Sequence, residues 1–218
     1  MALALNLYQN DLPTALDLGP IVAVDCEAMG LNPARDRLCL VQLSSGDGNA
    51  HLVQISQGQK QAPNLVKMIK DEKVLKLFHF ARFDIAAIAK AFDAFAYPVY
   101  CTKIASKLVR TYTDRHGLKN LLQELLDIDI SKQQQTSDWG SDDLSDAQLA
   151  YAASDVLYLH RLREKLNDMY NDLQNMYNDL QKDASAAFVS TAAAKLLDTN
   201  YTTTTTATTA TPSSARRS

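Results

Sequence analysis

The stretch IVAVDCE, residues 21–27, decides how the rest of the chain is interpreted. Its first five residues form a continuous apolar run that ends in an acid, which is typical of a buried strand. Because side chains alternate along a strand, Asp25 and Glu27 point to the same face. Two neighbouring carboxylates repel each other unless a cation lies between them, and Mg²⁺ and Mn²⁺ prefer such oxygen ligands. Alone, the pair is weak evidence, since acidic pairs on a surface are more common.

Further strands and helices follow in an order that predicts an α/β protein. Strands are predicted at 38–45, 50–54, 74–80 and 97–101, and helices at 64–70, 83–92, 101–109 and 118–126. A long helix is predicted to start after Ser145, which has a capping-box partner in Gln148. Strands come first, then alternate with helices, and then only helices follow. This order favours a mixed sheet covered by helices.

Composition and charge favour a globular domain over a disulfide-rich, zinc-binding or membrane-spanning protein. The chain has 218 residues, 46% of them hydrophobic and 22% charged, which suits one good-sized globular domain with room for a tail. The formal net charge of −3 gives no sign of nucleic acid, so a basic surface must be local. Three cysteines without paired spacing favour reduced core thiols over a disulfide framework or a zinc site. We see no signal peptide and no membrane-spanning run, and expect a cytoplasmic protein without membrane contact.

Two more acids lie on predicted helices. Asp84 is in the first turn of helix 83–92, where an acid is usually no more than favourable helix electrostatics. Tyr151 and Asp155 are four residues apart and therefore share one helical face. The small residues 152–154 between them would let another backbone approach closely. Each of these features is weak when taken alone.

Taken together, these residues resemble the motifs of the DEDD exonucleases, in the tyrosine-bearing subclass, and within it ribonuclease D. The three motifs are VDCEAMGL at 24–31, LFHFARFDIAAI at 77–88 and LAYAASDVLYLHRL at 149–162. The segment 116–139 also resembles the part of ribonuclease D that precedes the third motif. The resemblance implies a ribonuclease H-like fold. That fold has a central five-stranded mixed sheet, with the second strand antiparallel to the others, helices on both sides and here a C-terminal helical extension.

The resemblance further implies a 3′-5′ exoribonuclease that releases nucleoside 5′-monophosphates with two divalent ions, Mg²⁺ or Mn²⁺. Asp25 would bridge the ions, Glu27 and Asp155 would complete the first site, and Asp84 would support the second. Tyr151 would orient the attacking water, because a tyrosine with a pKa of about 10 is a poor base at neutral pH. The expected substrate is a single-stranded 3′ end of RNA. DNA is the rival substrate, and an inactive nucleic-acid-binding domain is the alternative of another class.

Residues that would contact the substrate are predicted in two groups. Lys103, Lys107 and Arg110 lie on one face of a predicted helix and could neutralise backbone phosphates, although a solvated lysine face is the alternative. His79 and His116 are candidates for contacts to phosphate or the 3′ end, and a buried, hydrogen-bonded histidine is the alternative for His79.

The segment after Glu27 departs from its relatives. By resemblance, Met29 and Leu31 would pack against the terminal base, and Ala28 is grouped with them as a substrate-binding residue. Ala28 and Met29 stand where related exonucleases often carry threonines. Trp139 is interpreted as a structural anchor rather than a stacking platform.

The C-terminal part has a different pattern. We predict an exonuclease domain at 1–166 with its core at about 21–166, a helical extension at 167–198 and a disordered Thr-rich tail at 199–218. A heptad seam runs through 159–182, where MYNDLQN at 169–175 is followed by MYNDLQK at 176–182. The seam predicts either an ordinary helix packed on its own domain or pairing with a second chain. Monomer and homodimer therefore both stay open.

Overall fold

A computed structural model of the chain describes residues 4–32 and 34–204, with side chains described as far as residue 191. The chain divides into two units, Met1–Tyr170 and Asn171–Ser218. In the described part, no helix is both long enough and apolar enough to cross a bilayer.

A mixed sheet of six strands forms the centre of the first unit. In chain order the strands are β1 (Ala4–Gln9), β2 (Ile21–Ala28), β3 (Leu38–Ser44), β4 (Asn49–Gln54), β5 (Leu75–Phe78) and β6 (Val99–Cys101). They lie side by side in the order β1-β4-β3-β2-β5-β6. β3 is antiparallel to both of its neighbours, whereas the other pairs are parallel. The predicted ribonuclease H-like α/β fold is confirmed, with its second predicted strand antiparallel to the others.

The predicted number of five strands is wrong because β1 was not foreseen. β1 adds to the outer edge of the sheet by pairing in parallel with β4, from Ala4 opposite Asn49 to Gln9 opposite Gln54. Most of its side chains are exposed, including Leu5 and Leu7. Its sequence therefore lacks the apolar run of a buried strand, and the hydrogen bonds to β4 are what make this segment a strand.

Six helices complete the described fold. They are α1 (Pro63–Lys70), α2 (Arg82–Phe92), α3 (Thr102–Val109), α4 (Leu118–Leu126), α5 (Asp146–Leu157) and α6 (Leu159–Thr204). Ser145 caps α5 through the predicted capping box, since its side chain accepts from the backbone of Gln148 and the Gln148 side chain accepts from the Ser145 backbone. The long helix predicted from Ser145 is two helices, because the regular helix is interrupted by a turn at Tyr158, where φ is −108° and ψ is −2°.

Both faces of the sheet are buried, and β2 contributes to each. Val22 and Val24 belong to one apolar cluster, which includes residues of α1 and α2. Ala23 belongs to the other, which includes residues of α4, α5 and the start of α6. The alternation along β2 puts Asp25 and Glu27 on the Ala23 face. These acids therefore leave the sheet on the side that α5 covers.

The apolar side chains of the heptad seam are buried at the start of α6 and exposed farther along it. Leu159, Leu162 and Leu166 are buried within the first unit. Leu173, Met176 and Leu180, in the second unit, are 44%, 62% and 66% exposed. Of the predicted disordered tail at 199–218, the structure describes only residues 199–204, and these belong to α6. Residues 205–218 lie outside the described part of the chain.

Candidate active site

The end of β2 presents the first two acids of the site. Asp25 and Glu27 lie in the ladder with β3, opposite Gln42 and Leu40, and the register shifts directly after Glu27. This shift ends regular pairing at the point where the chain leaves the sheet. The two carboxylates are thus held on rigid backbone at the carboxyl end of a central strand.

Asp84 reaches the same end of the sheet by a different path. β5 runs parallel to β2, so the carboxyl ends of both strands lie at one edge. The chain turns from β5 into α2 through Phe80, whose backbone is in the left-handed region with φ of 72°. Asp84 is in the first turn of α2 and is only 2% exposed. The turn therefore brings a buried carboxylate close to those of β2.

α5 completes the site from above the sheet. It packs across β2, β3 and β4, and its Ala152 and Ala153 are fully buried. Their small side chains let the helix approach the sheet closely, which brings Asp155 down onto the acids of β2. One carboxylate oxygen from each of Asp25, Glu27 and Asp155 lies within 4.8 Å of the others. The three predicted motifs therefore meet at one place.

Burial and mutual repulsion oppose ionisation of these acids. Burial raises the pKa of Asp25 well above its ordinary value, and the charges of Asp84, Asp155 and Glu27 raise it further. Burial, followed by the charges of Asp155 and Asp84, raises the pKa of Glu27 to about 8. Burial likewise raises the pKa of Asp155 to about 7 and that of Asp84 well above its ordinary value.

Such a cluster fits divalent cations. All of its donors are carboxylate oxygens, which are the ligands of hard cations such as Mg²⁺ and Mn²⁺. A positive charge among the four acids would favour their ionised forms and offset the repulsion between them.

Tyr151 lies one helical turn before Asp155 on α5. Burial and the charges of Asp155, Glu27 and Asp25 raise the pKa of its hydroxyl above the ordinary value of tyrosine. The hydroxyl lies close enough to Asp155 to lower the pKa of that carboxyl. The tyrosine is therefore protonated at neutral pH, and its hydroxyl can donate a hydrogen bond but is a poor base.

The acids and Tyr151 line one cavity of about 650 Å³. Ala28, Met29 and Leu31 lie along it, and the side chains of Met29 and Leu31 are exposed. Trp139, 3% exposed, lies in its wall. Lys103, Lys119 and Lys132 also line this cavity. An acidic site thus has basic groups beside it, as a phosphodiester substrate requires.

The predicted basic stripe on α3 is wrong at Arg110. The helix ends at Val109, and Arg110 is fully buried. Its guanidinium pairs with Glu124 and donates to Ser106 Oγ at 3.1 Å and to the Arg115 carbonyl at 2.9 Å. These bonds use the charge to hold α3 and α4 together, so it is not available to a phosphate.

Of the other predicted substrate residues, some line the cavity and others do not. Lys103 and His79 line the cavity, whereas Lys107 and His116 do not. His79 Nδ1 lies 2.9 Å from Thr102 Oγ1, and burial lowers its pKa to about 4, so the ring is neutral. His116 Nδ1 lies 2.9 Å from Ser106 Oγ, which places this ring in the contact between α3 and the following loop.

Two residues of the cavity were missed from sequence. Lys132 belongs to a polar loop without periodicity, yet its charge lowers the pKa of Asp155. Phe80 is 43% exposed beside the cavity, with Lys103 Nζ 4.2 Å from the centre of its ring. Phe80 is the last residue of the predicted strand 74–80, and an aromatic residue at the end of a strand is the only signal that the sequence offers for it.

Comparison with known proteins agrees with this geometry. The sequence pattern of a family described as 3′-5′ exonuclease matches residues 9–171. Among curated proteins, DNA polymerase I of Aquifex aeolicus is 35% identical over 72% of this chain and 25% of its own length. Ribonuclease D of Granulibacter bethesdensis is 32% identical over 86% of this chain and 44% of its own length. The chain thus spans less than half the length of these curated relatives.

Solved structures include a relative of similar size. NrnC of Brucella melitensis bound to pGG is 54% identical, with a TM-score of 0.77 over 81% of this chain and 86% of that chain. The same protein with bound Mg²⁺ is 54% identical, with a TM-score of 0.75 over 80% of this chain and 86% of that chain.

Proposed function

The chain belongs to the 3′-5′ exonuclease family, and on that premise we propose that it hydrolyses RNA from the 3′ end and releases nucleoside 5′-monophosphates. The observation that carries this proposal is the convergence of Asp25, Glu27 and Asp155 within 4.8 Å, with Tyr151 beside them. A domain that only bound nucleic acid would gain nothing from burying carboxylates that repel each other and the substrate.

We assign the four acids as ligands of two divalent cations. By the family resemblance, Asp25 would be shared by the two cations, Glu27 and Asp155 would hold the first, and Asp84 would support the second directly or through water. When bound, the cations would lower the pKa of the attacking water and stabilise the charge on the leaving oxygen. The Mg²⁺ of the NrnC structure supports the choice of ion.

The remaining residues bind and orient the substrate. The protonated hydroxyl of Tyr151 donates a hydrogen bond and orients the attacking water beside Asp155. Lys103 and Lys132 neutralise the phosphates that flank the scissile bond, whereas Lys119 is paired with Asp129 at 2.9 Å. Neutral His79 contributes a hydrogen bond rather than a charge. Met29 and Leu31, exposed next to Asp25 and Glu27, pack against the terminal base.

Short RNA is the proposed substrate class. The relative of similar size was solved with pGG, which supports a short ligand. A cavity of about 650 Å³ is in the ordinary range for small-molecule sites. We therefore expect oligonucleotides of a few residues, pGG among them, to be cleaved.

The first experiment is a timed digestion of matched short RNA and DNA, labelled at the 3′ or the 5′ end. It is run with Mg²⁺, Mn²⁺ or EDTA, beside Asp25→Asn. Stepwise loss from the 3′ end that depends on metal and is absent in the variant is the expected result. Faster cleavage of DNA would move the substrate from RNA to DNA, and binding of both polymers without cleavage would establish an inactive binding domain.

The exposed seam of α6 supports the homodimer rather than the monomer. Leu173, Met176 and Leu180 continue the heptad spacing at positions that are largely exposed in one chain. A second copy of this helix would cover them. Molecular mass measured at two protein concentrations tests this, and a constant monomer mass would reject it. The cytoplasmic location stays a prediction.

A further inference from the structure

Gln42 on β3 lies directly opposite Asp25 on β2. In an antiparallel pair, residues that face each other leave the sheet on the same side, with Cβ atoms about 4.5–5.5 Å apart. Leu40, next along this face of β3, belongs to a buried cluster with Ala152 of α5. The side chain of Gln42 therefore leaves the sheet on the same side as that of Asp25, toward α5.

The amide of Gln42 is buried without a partner. The residue is fully buried, and neither Nε2 nor Oε1 makes a hydrogen bond within the described part of the chain. An unpaired buried amide destabilises a fold, and an apolar side chain of similar size would not. A glutamine at this position therefore calls for a partner in the working state of the site.

Gln54 is a second buried glutamine of this sheet, and its side-chain amide is hydrogen-bonded. It lies on the neighbouring strand β4 and is 6% exposed. Its Oε1 accepts from Gln9 Nε2 at 2.9 Å, and its Nε2 donates to the carbonyls of Ser141 and Asp142, each at 3.0 Å. The unpaired amide is the one beside the acids.

We propose that Gln42 is a positioning residue for Asp25, whose carboxylate accepts a hydrogen bond from Gln42 Nε2, directly or through one buried water, when Asp25 binds a cation. The bond fixes the rotation of the carboxylate and so selects the oxygen that faces each cation. An amide suits this task because it is neutral and does not compete with the cation, as a lysine would. This inference rests on the proposed function of the site.

The hydrogen bond has a measurable consequence for metal affinity. Partners that orient metal ligands typically change affinity or activity by about 10- to 100-fold when they are removed. Gln42→Met removes the amide and keeps the length and volume of the side chain. Gln54→Leu is the matched control, since it removes a buried amide from the same sheet away from the acids.

The experiment measures Mn²⁺ binding by calorimetry, thermal unfolding in EDTA, and kcat. We expect Gln42→Met to bind Mn²⁺ about 10- to 100-fold more weakly and to lower kcat, while its unfolding temperature in EDTA does not fall. Gln54→Leu should lower the unfolding temperature and keep wild-type Mn²⁺ affinity. If Gln42→Met does not fold, Gln42→Leu is measured in its place.

Each result decides the inference. Equal Mn²⁺ affinity in wild type and Gln42→Met overturns it, as does an equal loss of affinity in Gln54→Leu, which would indicate a general effect on the fold. No Mn²⁺ binding by the wild type would overturn the proposed function, and the inference with it. A wild type that binds Mn²⁺ therefore separates failure of the inference from failure of the proposed function.

Discussion

The indole of Trp139 packs against the phenol ring of Tyr151, with 6.0 Å between the ring centroids and 37° between their planes. Trp139 is buried, so it provides a fixed surface against which the ring of Tyr151 rests. If Trp139 is a structural anchor, as the sequence predicts, the side chain that it holds is that of Tyr151. The tryptophan limits the rotamers of a tyrosine whose hydroxyl lies close to Asp155.

Tyr151→Phe tests the role of that hydroxyl. The variant keeps the ring against Trp139 and removes only the hydroxyl, so we expect kcat to fall by at least about 100-fold, the lower range for groups that orient or transfer protons. KM and the unfolding temperature should change little. Tyr100→Phe is the control, because it removes a hydroxyl that bonds to Asn167 at 2.9 Å on another part of the domain. Equal kcat in Tyr151→Phe and wild type would remove Tyr151 from the mechanism.

Asp25→Asn should abolish turnover and make the metal-free protein more stable. The stabilisation follows because burial and three neighbouring carboxylates disfavour the Asp25 charge, and asparagine has no charge. The unfolding temperature in EDTA at pH 8 should therefore rise, and the increase on adding Mn²⁺ should be smaller than in wild type. Asp168→Asn, at an exposed position of α6, should change neither quantity. Retained turnover in Asp25→Asn would reject the ligand assignment.

Stability without metal should fall as pH rises. The folded pKa values of Glu27 and Asp155, about 8 and about 7, are raised above unfolded values of about 4.3 and 3.9. The folded state therefore binds these protons more tightly. Its advantage is complete below about pH 4 and is lost as pH rises through 7 and 8.

Unfolding temperatures measured in EDTA between pH 4 and pH 9 check this dependence. We expect a decline in wild type and a flatter profile in the double variant Glu27→Gln with Asp155→Asn. Saturating Mn²⁺ should also flatten the wild-type profile, because bound cations favour the ionised acids. A wild-type profile that rises toward pH 9 in EDTA would contradict the raised pKa values.

The basic residues of the cavity should control substrate affinity. Lys132→Ala should raise KM for short RNA and lower the salt dependence of log KM by about one, the value for one lost phosphate contact. Lys90→Ala, an exposed position on α2, is the control. Lys107→Ala tests whether phosphates bind in the cavity or on the outer face of α3, since Lys107 is on the same helix as Lys103 but outside the cavity. A larger effect from Lys107 than from Lys132 would place the phosphates on the outer face of α3.

The four acids could be found from sequence because each has a local signal. Asp25 and Glu27 end an apolar run, Asp84 starts a helix, and Asp155 follows Tyr151 by one turn. These signals come from strand and helix periods, which act over a few residues. Their order along the chain and the resemblance joined them into one site.

The errors arise where tertiary contacts decide. β1 is a strand because β4 offers an open edge, which the exposed pattern of residues 4–9 cannot reveal. Arg110 has helical spacing from Lys103, but α3 ends one residue earlier, and Glu124 of α4 pairs with its guanidinium. The position of Gln42 opposite Asp25 depends on the register between β2 and β3, which the sequence does not specify.

The acids of the site come from opposite ends of the domain, with Asp25 on the second strand and Asp155 on the fifth helix. A ribosome makes the N-terminal acids long before α5, so a nascent chain carries an incomplete set of ligands for most of its synthesis. The same holds for any chain that is cut or that terminates before residue 155. Partial copies of this protein that end before residue 155 therefore lack the complete cluster of acids, which forms only when the last part of the domain folds onto the sheet.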